Sequence, residues 1–217
     1  MNSGPCRLQE TLSVHVSSDC CIQLHQTKGK SSTTGWLLWP VAVDFCKFLI
    51  SEPHRVLDKV VLEVGSGTGL VGLVASHIGS KLSVLTDLQE AMPLCDENLK
   101  LNINQLPSVG ATVTRPLYWG NADDASAIIS ETGQIDVILG SDVVYHQSEE
   151  VLNALVASIV ALSGPSTAVM IAYEDREGLL EDEEYFFSPM RSHFSSVELR
   201  DLGNSRWLYI FGGLIPK

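Results

Sequence analysis

The chain has 217 residues, of which 45% are hydrophobic, and it carries a net charge of −12. This length suits one sizeable α/β core, and the hydrophobic content excludes a disordered chain. The acidic balance argues against a nucleic-acid partner, which requires clustered lysine and arginine, and no apolar run approaches the ~20 residues of a membrane span. We therefore expect a single domain over residues 1–217, with neither a nucleic-acid nor a membrane partner.

The cysteines and the first residues bear on the compartment. Five cysteines are present, no two of them spaced as Cys-x-x-Cys, and the six histidines show no metal-ligand spacing. A disulfide framework or a metal site is therefore not expected. Met1–Cys6 lacks the charged and apolar regions of a secretory signal. We expect a cytoplasmic or also nuclear protein, and nothing in the sequence demands more than a monomer.

The first predicted element is a β-hairpin within an N-terminal extension, residues 1–35. Leu12, Val14 and Val16 alternate with polar residues, as do Ile22 and Leu24, on either side of a Ser-Ser-Asp turn. Such alternation is typical of strands that bury one face. A helix is predicted to follow, because proline is well tolerated in a first helical turn and Pro40 opens an apolar run.

From Lys59 onward, strand and helix patterns alternate, which predicts a mainly parallel sheet. The predicted strands are Val60–Val64, Leu82–Thr86, Ala111–Thr114, Ile135–Leu139 and Thr167–Tyr173. The predicted helices are Pro40–Ile50, Gly69–Ile78, Ala91–Asn104, Asp123–Glu131 and Glu149–Leu162. Ser196–Leu199 and Trp207–Phe211 flank a turn-like stretch and predict an antiparallel hairpin at the sheet edge. The expected fold is α/β: a Rossmann-like, seven-stranded, mostly parallel sheet with helices on both faces.

A glycine-rich turn follows the first parallel strand. Val60–Val64 runs directly into Gly-Ser-Gly-Thr-Gly, and Asp87 stands 22 residues after Gly65, where the next predicted strand ends. Glycines let the backbone approach a ligand, and a carboxylate at about this offset binds ribose hydroxyls. The pattern predicts a nucleoside-cofactor site formed by Gly65, Ser66, Gly67, Gly69 and Asp87.

Two cofactors compete for this turn. Gly67, Gly69 and Gly72 match the dinucleotide fingerprint in a shifted register, which keeps an NAD-dependent oxidoreductase open. In that register the first glycine, Gly67, falls beyond Val64, where the strand is expected to end, and this counts against NAD. Glu63 also places a carboxylate beside the turn, where it would repel a pyrophosphate and favour a sulfonium or ammonium. S-adenosyl-L-methionine is therefore the favoured cofactor.

Polar residues that follow the predicted strand Ile135–Leu139 indicate where the reaction takes place. Asp142 and Tyr145 would lie at the topological switch point of the sheet, facing the reactive end of the cofactor. Asp142 could hold an acceptor amine while Tyr145 walls its channel; alternatively, Asp142 caps a helix and Tyr145 packs in the core. Trp119 and Trp39 are each candidates to cover the cofactor or to be core aromatics.

An acidic segment follows the fifth predicted strand of this sheet. Glu174–Glu177 and Glu181–Glu184 contain one cation, Arg176, among seven carboxylates. Such a run is usually a solvated face, and beside an acceptor channel it could also attract a lysine-bearing partner.

Taken together, these residues resemble the seven-β-strand protein lysine methyltransferases, specifically the methyltransferase-like 21 group. The resemblance covers roughly residues 35–173. It is carried by Trp39, Val61–Leu70, Thr86-Asp87, Leu117–Gly120 and Leu139–Tyr145. The resemblance implies that the cofactor is contacted by Trp39, Gly65, Ser66, Gly67, Asp87, Trp119 and Ser141.

The same resemblance implies an activity and a partner. Asp142 and Tyr145 would belong to the element that receives the lysine, and the partner would be a specific protein such as a chaperone, an AAA ATPase or a translation factor. The alternatives are a small-molecule or other N-methyltransferase, and a non-enzymatic interaction module built on the cofactor fold.

Overall fold

The computed structural model describes residues 8–28, 34–107, 110–145, 147–176 and 182–216. The strands are β1 (Leu8–His15), β2 (Cys21–Lys28), β3 (Val60–Val64), β4 (Leu82–Asp87), β5 (Ala111–Pro116), β6 (Val137–Ser141), β7 (Ala168–Glu174), β8 (Phe194–Gly203) and β9 (Arg206–Leu214). The helices are α1 (Pro40–Ser51), α2 (Leu70–Ile78), α3 (Met92–Asn102), α4 (Ala122–Thr132), α5 (Glu149–Leu162) and α6 (Ser188–His193), and a π-helical turn over Glu183–Phe187 precedes α6.

Seven strands form one sheet in the order β5-β4-β3-β6-β7-β9-β8. The five strands from β3 to β7 run parallel, whereas β9 is antiparallel to both β7 and β8. The chain leaves β3 for β4 on one side and returns to β6 on the other, so the switch point lies between β3 and β6. The predicted Rossmann-like sheet with a C-terminal antiparallel hairpin is confirmed.

Alternating residues of the central strands send side chains to opposite faces of the sheet. Val61 and Val137 pack on the face covered by α1, α2 and the N-terminal hairpin. Leu62 and Ile138 pack on the other face, which is covered by α4, α5 and α6. Because both faces are covered, the strands are apolar almost throughout, as expected for a parallel sheet.

The N-terminal hairpin is a separate two-stranded sheet, β1 paired with β2, as predicted. Its inner face, including Ile22 and Leu24, is buried against the core. Its β2 edge lies against α3, where the side chains of Asn98 and Asn102 bond to the backbone of β2. The hairpin is thereby attached to the sheet domain by side-chain amides that stand where a third strand would be.

The structure differs from the sequence-based elements in several places. Strands β8 and β9 extend at both ends beyond the predicted Ser196–Leu199 and Trp207–Phe211. Strand β6 begins at Val137, two residues later than predicted. Just before it, the side chain of Asp136 accepts a hydrogen bond from the Val60 amide, so Asp136 precedes the strand and does not belong to it. Helix α6 and its π-helical turn were not predicted, since Pro189 sits within an aromatic and acidic run. Pro189 follows directly on the π-helical turn, and because proline has no N–H to donate, the backbone hydrogen-bond ladder is interrupted at this junction. Among the described residues, no helix combines the length and the apolar character needed to cross a membrane.

Candidate active site

A cavity of about 830 Å³ opens at the carboxyl ends of the parallel strands. This volume falls within the roughly 300–1,000 Å³ of typical ligand pockets. Predicted site residues that line the cavity are Trp39, Glu63, Gly65, Ser66, Gly67, Asp87, Trp119, Ser141, Asp142 and Tyr145. Gly69 is not among the lining residues. It caps α2 with a φ of 80°, and a Cβ there would stand 2.8 Å from a methyl carbon of Leu85.

The glycine turn has a backbone shape that other residues would not adopt without strain. Gly65 and Gly67 have φ values of 60° and 54°. A Cβ on Gly65 would lie 2.8 Å from Val143, and one on Gly67 would lie 2.7 Å from the carbonyl oxygen of Gly35. The turn is therefore pressed between the β6 loop and the segment that enters α1, and it leaves its open side to the cavity.

Asp87 holds the glycine turn in place. The amide of Gly67 donates to its Oδ2 at 2.7 Å, and the amide of Leu88 donates to its Oδ1 at 2.7 Å. Burial raises the pKa of Asp87, these two hydrogen bonds oppose the rise, and Glu90 adds to it. The side chain expected to meet a ribose thus also sets the conformation of the loop beside it.

Glu63 is buried under the first turn of α2. Its Oε2 accepts a hydrogen bond from the amide of Gly72 at 2.9 Å. Burial raises its pKa to about 8, because the hydrogen bonds from Gly72 and Ser66 do not offset the loss of water. A cation entering the cavity would favour the ionised form of this group.

Asp142 lies directly after β6 with a φ of 55°, a left-handed conformation that aspartate tolerates better than most residues. Both of its carboxylate oxygens are bound by Arg176: Nη1 donates to Oδ1 at 3.0 Å and Nη2 donates to Oδ2 at 2.6 Å. The guanidinium carbon of Arg176 also lies 5.1 Å from the centre of the Trp39 ring. Sequence reasoning did not identify this partner of Asp142.

The cavity lining contains a further buried carboxyl group besides those of Glu63 and Asp142. Asp182 is 3% exposed and accepts a hydrogen bond from the hydroxyl of Tyr173 at 2.9 Å, and both residues line the cavity. The prediction that this acidic run is solvated is confirmed for Glu183 and Glu184, which are exposed. It is wrong for Asp182, which is buried. Glu177–Glu181 lies outside the described residues.

Two buried polar atoms of the cavity lining indicate that a polar ligand fits. Within the part of the chain that the structure describes, Ser141 Oγ and Gln147 Oε1 are enclosed and have no hydrogen-bond partner. Buried polar atoms normally have partners, so these two are positioned for a ligand or ordered water. Gln147 was not predicted as a site residue, and no local sequence pattern distinguishes it.

The charges around the cavity favour a cationic ligand. The acidic residues that line it are Asp87, Glu90, Asp142, Glu150, Glu174 and Asp182, together with Glu63, which ionises when a cation enters. Among the described lining residues, Arg176 is the only basic one. Together with the glycine cradle and the unpartnered Ser141 hydroxyl, this lining fits S-adenosylmethionine, whose sulfonium and ammonium are cationic, better than a dinucleotide with an anionic pyrophosphate.

Comparisons with known proteins agree with this geometry. A family model described as lysine methyltransferase matches residues 17–193. The chain is 34% identical over 163 residues to the protein N-lysine methyltransferase METTL21A of Danio rerio, covering 75% of this chain and 70% of the relative. It is 32% identical over 183 residues to the protein-lysine methyltransferase METTL21E of Mus musculus, covering 82% and 70%. A shorter match, 37% identical over 115 residues and covering 53% and 47%, is to the histone-arginine methyltransferase METTL23 of Xenopus laevis.

Solved structures share the fold at low sequence identity. The 16S rRNA N2 G1207 methyltransferase RsmC of T. thermophilus, in complex with AdoMet and guanosine, has a TM-score of 0.63 at 15% identity. The match covers 96% of this chain and 51% of that one, so the chain spans about half of its length. The magnesium protoporphyrin IX methyltransferase ChlM of Synechocystis PCC 6803, with bound SAM, has a TM-score of 0.53 at 15% identity, covering 79% and 78%.

These likenesses bear on the predictions in different ways. The solved structures show the methyltransferase fold, and two of them were determined with the cofactor that the sequence favours. The family match extends over most of the chain and includes the glycine turn, Asp87 and Asp142. The predicted family and enzyme class are therefore confirmed: the chain belongs to the lysine methyltransferase family.

Proposed function

We propose that this protein transfers a methyl group from S-adenosyl-L-methionine to the ε-amine of a lysine in a specific protein. One observation carries the proposal: a single cavity joins a glycine cradle, suited to a nucleoside, to the buried Asp142 carboxylate on the acceptor side. The acidic lining in between suits both a sulfonium cofactor and an amine acceptor.

The cofactor is held by residues from several elements. Its binding residues are Trp39, Glu63, Gly65, Ser66, Gly67, Asp87, Trp119 and Ser141, with Gly69 supporting the turn from below. When bound, S-adenosylmethionine supplies an electrophilic methyl carbon. Asp87 binds the ribose hydroxyls while it keeps the Gly67 amide in place, and the Ser141 hydroxyl gains a partner that it lacks among the described residues.

Two residues act on the acceptor. Asp142 accepts a hydrogen bond from the lysine amine and orients its lone pair, and Tyr145 forms the wall of the channel that admits it. Methyl transfer depends mainly on alignment of the nucleophile with the methyl carbon, so holding the amine is the main contribution that these side chains make. The amine must reach the site without its extra proton, because an ammonium has no lone pair.

The finer features of the partner belong to this proposal as well. We place the protein in the cytoplasm, acting as a monomer on a chaperone, an AAA ATPase or a translation factor, without nucleic acid. Acceptors other than lysine are represented among its relatives. One from Candida glabrata is named a protein N-terminal and lysine N-methyltransferase, and the Xenopus relative a histone-arginine methyltransferase.

Transfer of radiolabelled methyl from S-adenosylmethionine to proteins of a cell extract tests the proposal. We expect one discrete labelled band with the wild type, loss of that band with Asp142→Asn, and unchanged cofactor affinity in the variant. Asparagine is the better substitution because it tolerates the left-handed backbone at this position, which alanine does not.

The chemical identity of the label decides the acceptor. Acid hydrolysis of the labelled band should yield methyl-lysine. Methylarginine or a methylated N-terminal amine would contradict the lysine assignment, and full labelling by Asp142→Asn would remove Asp142 from the acceptor site.

A further inference from the structure

Arg176 is the one basic side chain among the described residues that line the cavity. It is bound directly to Asp142, the residue proposed to hold the substrate lysine. Its two terminal nitrogens bind both oxygens of Asp142 in a fork-to-fork pair. The Asp142 side chain is only 4% exposed, whereas that of Arg176 is 35% exposed. Arg176 therefore reaches inward from the edge of the cavity to a buried carboxylate.

Besides Asp142, the guanidinium of Arg176 is contacted by residues of two other elements. Trp39, at the start of α1, presents its ring to the guanidinium, and Glu174, at the end of β7, lies 3.5 Å from Nη2. Glu174 is itself held by Arg206 of β9, which also binds Asp44 of α1. The guanidinium is thus held by two hydrogen bonds to Asp142, by the Trp39 ring and by the Glu174 carboxylate. These contacts restrict its movement away from Asp142.

This arrangement determines how Asp142 can meet a substrate. A carboxylate offers about four lone-pair sites, and Arg176 takes two of them. The remaining two can accept a hydrogen bond while the fork fixes the plane of the carboxylate. We propose that Arg176 is a positioning residue. It orients Asp142 so that the remaining lone pairs of the carboxylate accept a hydrogen bond from the amine of the substrate lysine. This inference rests on the proposed function.

The charges around Asp142 support the same role. Burial raises the pKa of Asp142, and Arg176 is the main group that opposes this rise. Glu174 raises the pKa further and Arg206 lowers it, so both outer members of the network also act on the carboxyl group. Without Arg176, Asp142 would be both less firmly oriented and more readily protonated, and a protonated carboxyl group receives an amine less well.

A competing interpretation makes Arg176 a stand-in for the substrate, which the lysine must displace from Asp142. Displacement would require opening a hydrogen-bonded ion pair whose carboxylate is almost fully buried, and this is costly. The two interpretations predict opposite effects of removing the guanidinium: loss of transfer if it positions Asp142, and faster transfer at low substrate if it competes.

The test compares initial rates of labelling of the protein band in cell extract, at saturating S-adenosylmethionine and over a dilution series of the extract. The dilution series separates kcat from KM. We expect Arg176→Gln to lower kcat by about 10- to 100-fold, the size expected for lost hydrogen bonds to a charged group, with a smaller change in KM. Arg176→Lys should be intermediate, because an ammonium cannot form the fork.

Chemical rescue distinguishes positioning from a structural role. Guanidinium chloride, at concentrations far below those that unfold the protein, should restore part of the kcat of Arg176→Ala and leave the wild type unchanged. The matched control is Arg115→Gln, which breaks an exposed ion pair with Glu131 outside the cavity and should label at the wild-type rate.

Three results would overturn the inference. The first is an unchanged kcat in Arg176→Gln, and the second is a lowered KM with faster labelling in that variant. The third is a lowered kcat in Arg176→Ala that guanidinium does not restore and that accompanies weaker cofactor binding. Failure of the proposed function is distinguishable, because it appears as absent labelling by the wild type in the Asp142 experiment, before any Arg176 variant is compared.

Discussion

Glu63 shows how burial decides the chemistry of a single residue. It is 2% exposed, and its carboxyl group accepts a hydrogen bond from the Gly72 amide at 2.9 Å. The sequence predicted a carboxylate beside the glycine turn, but not its elevated pKa. A strand pattern indicates which face a side chain takes, whereas the pKa depends on what covers that face, here the first turn of α2.

The raised pKa of Glu63 predicts a pH-dependent stability. The folded-state pKa of about 8 exceeds the ordinary value of 4.5, so the folded protein binds the proton more tightly than the unfolded chain. The free energy of unfolding should therefore fall as the pH rises from about 4.5 to about 8, by at most about 1.4 kcal/mol per pH unit. Glu63→Gln removes this loss because an amide does not ionise in this pH range, and glutamine can still accept a hydrogen bond from the Gly72 amide.

Thermal unfolding of the free protein over a pH series checks this prediction. The Tm of Glu63→Gln relative to wild type should increase through that window and level off above it. Glu184→Gln, a matched substitution at an exposed glutamate, should not show this increase. Parallel Tm curves for Glu63→Gln and wild type would contradict the buried, protonated state of Glu63.

At the scale of elements, α3 connects the N-terminal hairpin to the glycine turn. Asn98 is fully buried; its Oδ1 accepts from the His25 amide, and its Nδ2 donates to the carbonyl oxygens of His25 and Thr68. One turn later, Asn102 binds the backbone of Gln23 in the same way. The hairpin was predicted from its alternating pattern, but its connection to the glycine turn depends on two asparagines in a distant helix.

This connection predicts that two similar substitutions differ in one respect. Asn98→Ala and Asn102→Ala should each destabilise the protein by about 1–3 kcal/mol, because buried backbone groups of β2 lose their partners. Only Asn98→Ala also releases the Thr68 carbonyl, so only this variant should bind S-adenosylmethionine more weakly. Denaturant unfolding and calorimetric titration measure the two effects, and equal cofactor affinity in both variants would contradict the coupling.

At the scale of the whole molecule, the strand order brings distant segments to one cavity. The β3–β6 switch point collects the glycine turn, the β4 carboxylate and the β6 loop at one edge, and β7 adds its own end. The acidity of the chain is concentrated in part at this cavity, which makes a cationic ligand favourable and an anionic dinucleotide unfavourable.

Ligand binding should therefore stabilise the whole fold selectively. A ligand that binds only the folded state raises its stability by about 2.7 kcal/mol at a concentration of one hundred times Kd. We expect S-adenosylmethionine and S-adenosylhomocysteine to raise the Tm, and NAD at the same concentration to leave it unchanged. A Tm increase with NAD alone would contradict the preference of this acidic cavity for a cationic ligand.

The sequence by itself determined the features that depend on neighbouring residues: the alternation of strands and helices, the glycine turn after β3, the position of Asp87, and the family. It also indicated Asp142 and Tyr145, whose roles stay a prediction until the variants are measured. Only the tertiary structure decided that Asp142 is paired with Arg176, 34 residues away, that Asp182 is buried, and that Asn98 reaches both the hairpin and the turn. The physical reason is that periodicity and turn geometry are encoded locally. The partner, burial and pKa of a polar side chain depend on which distant segments the strand order brings beside it.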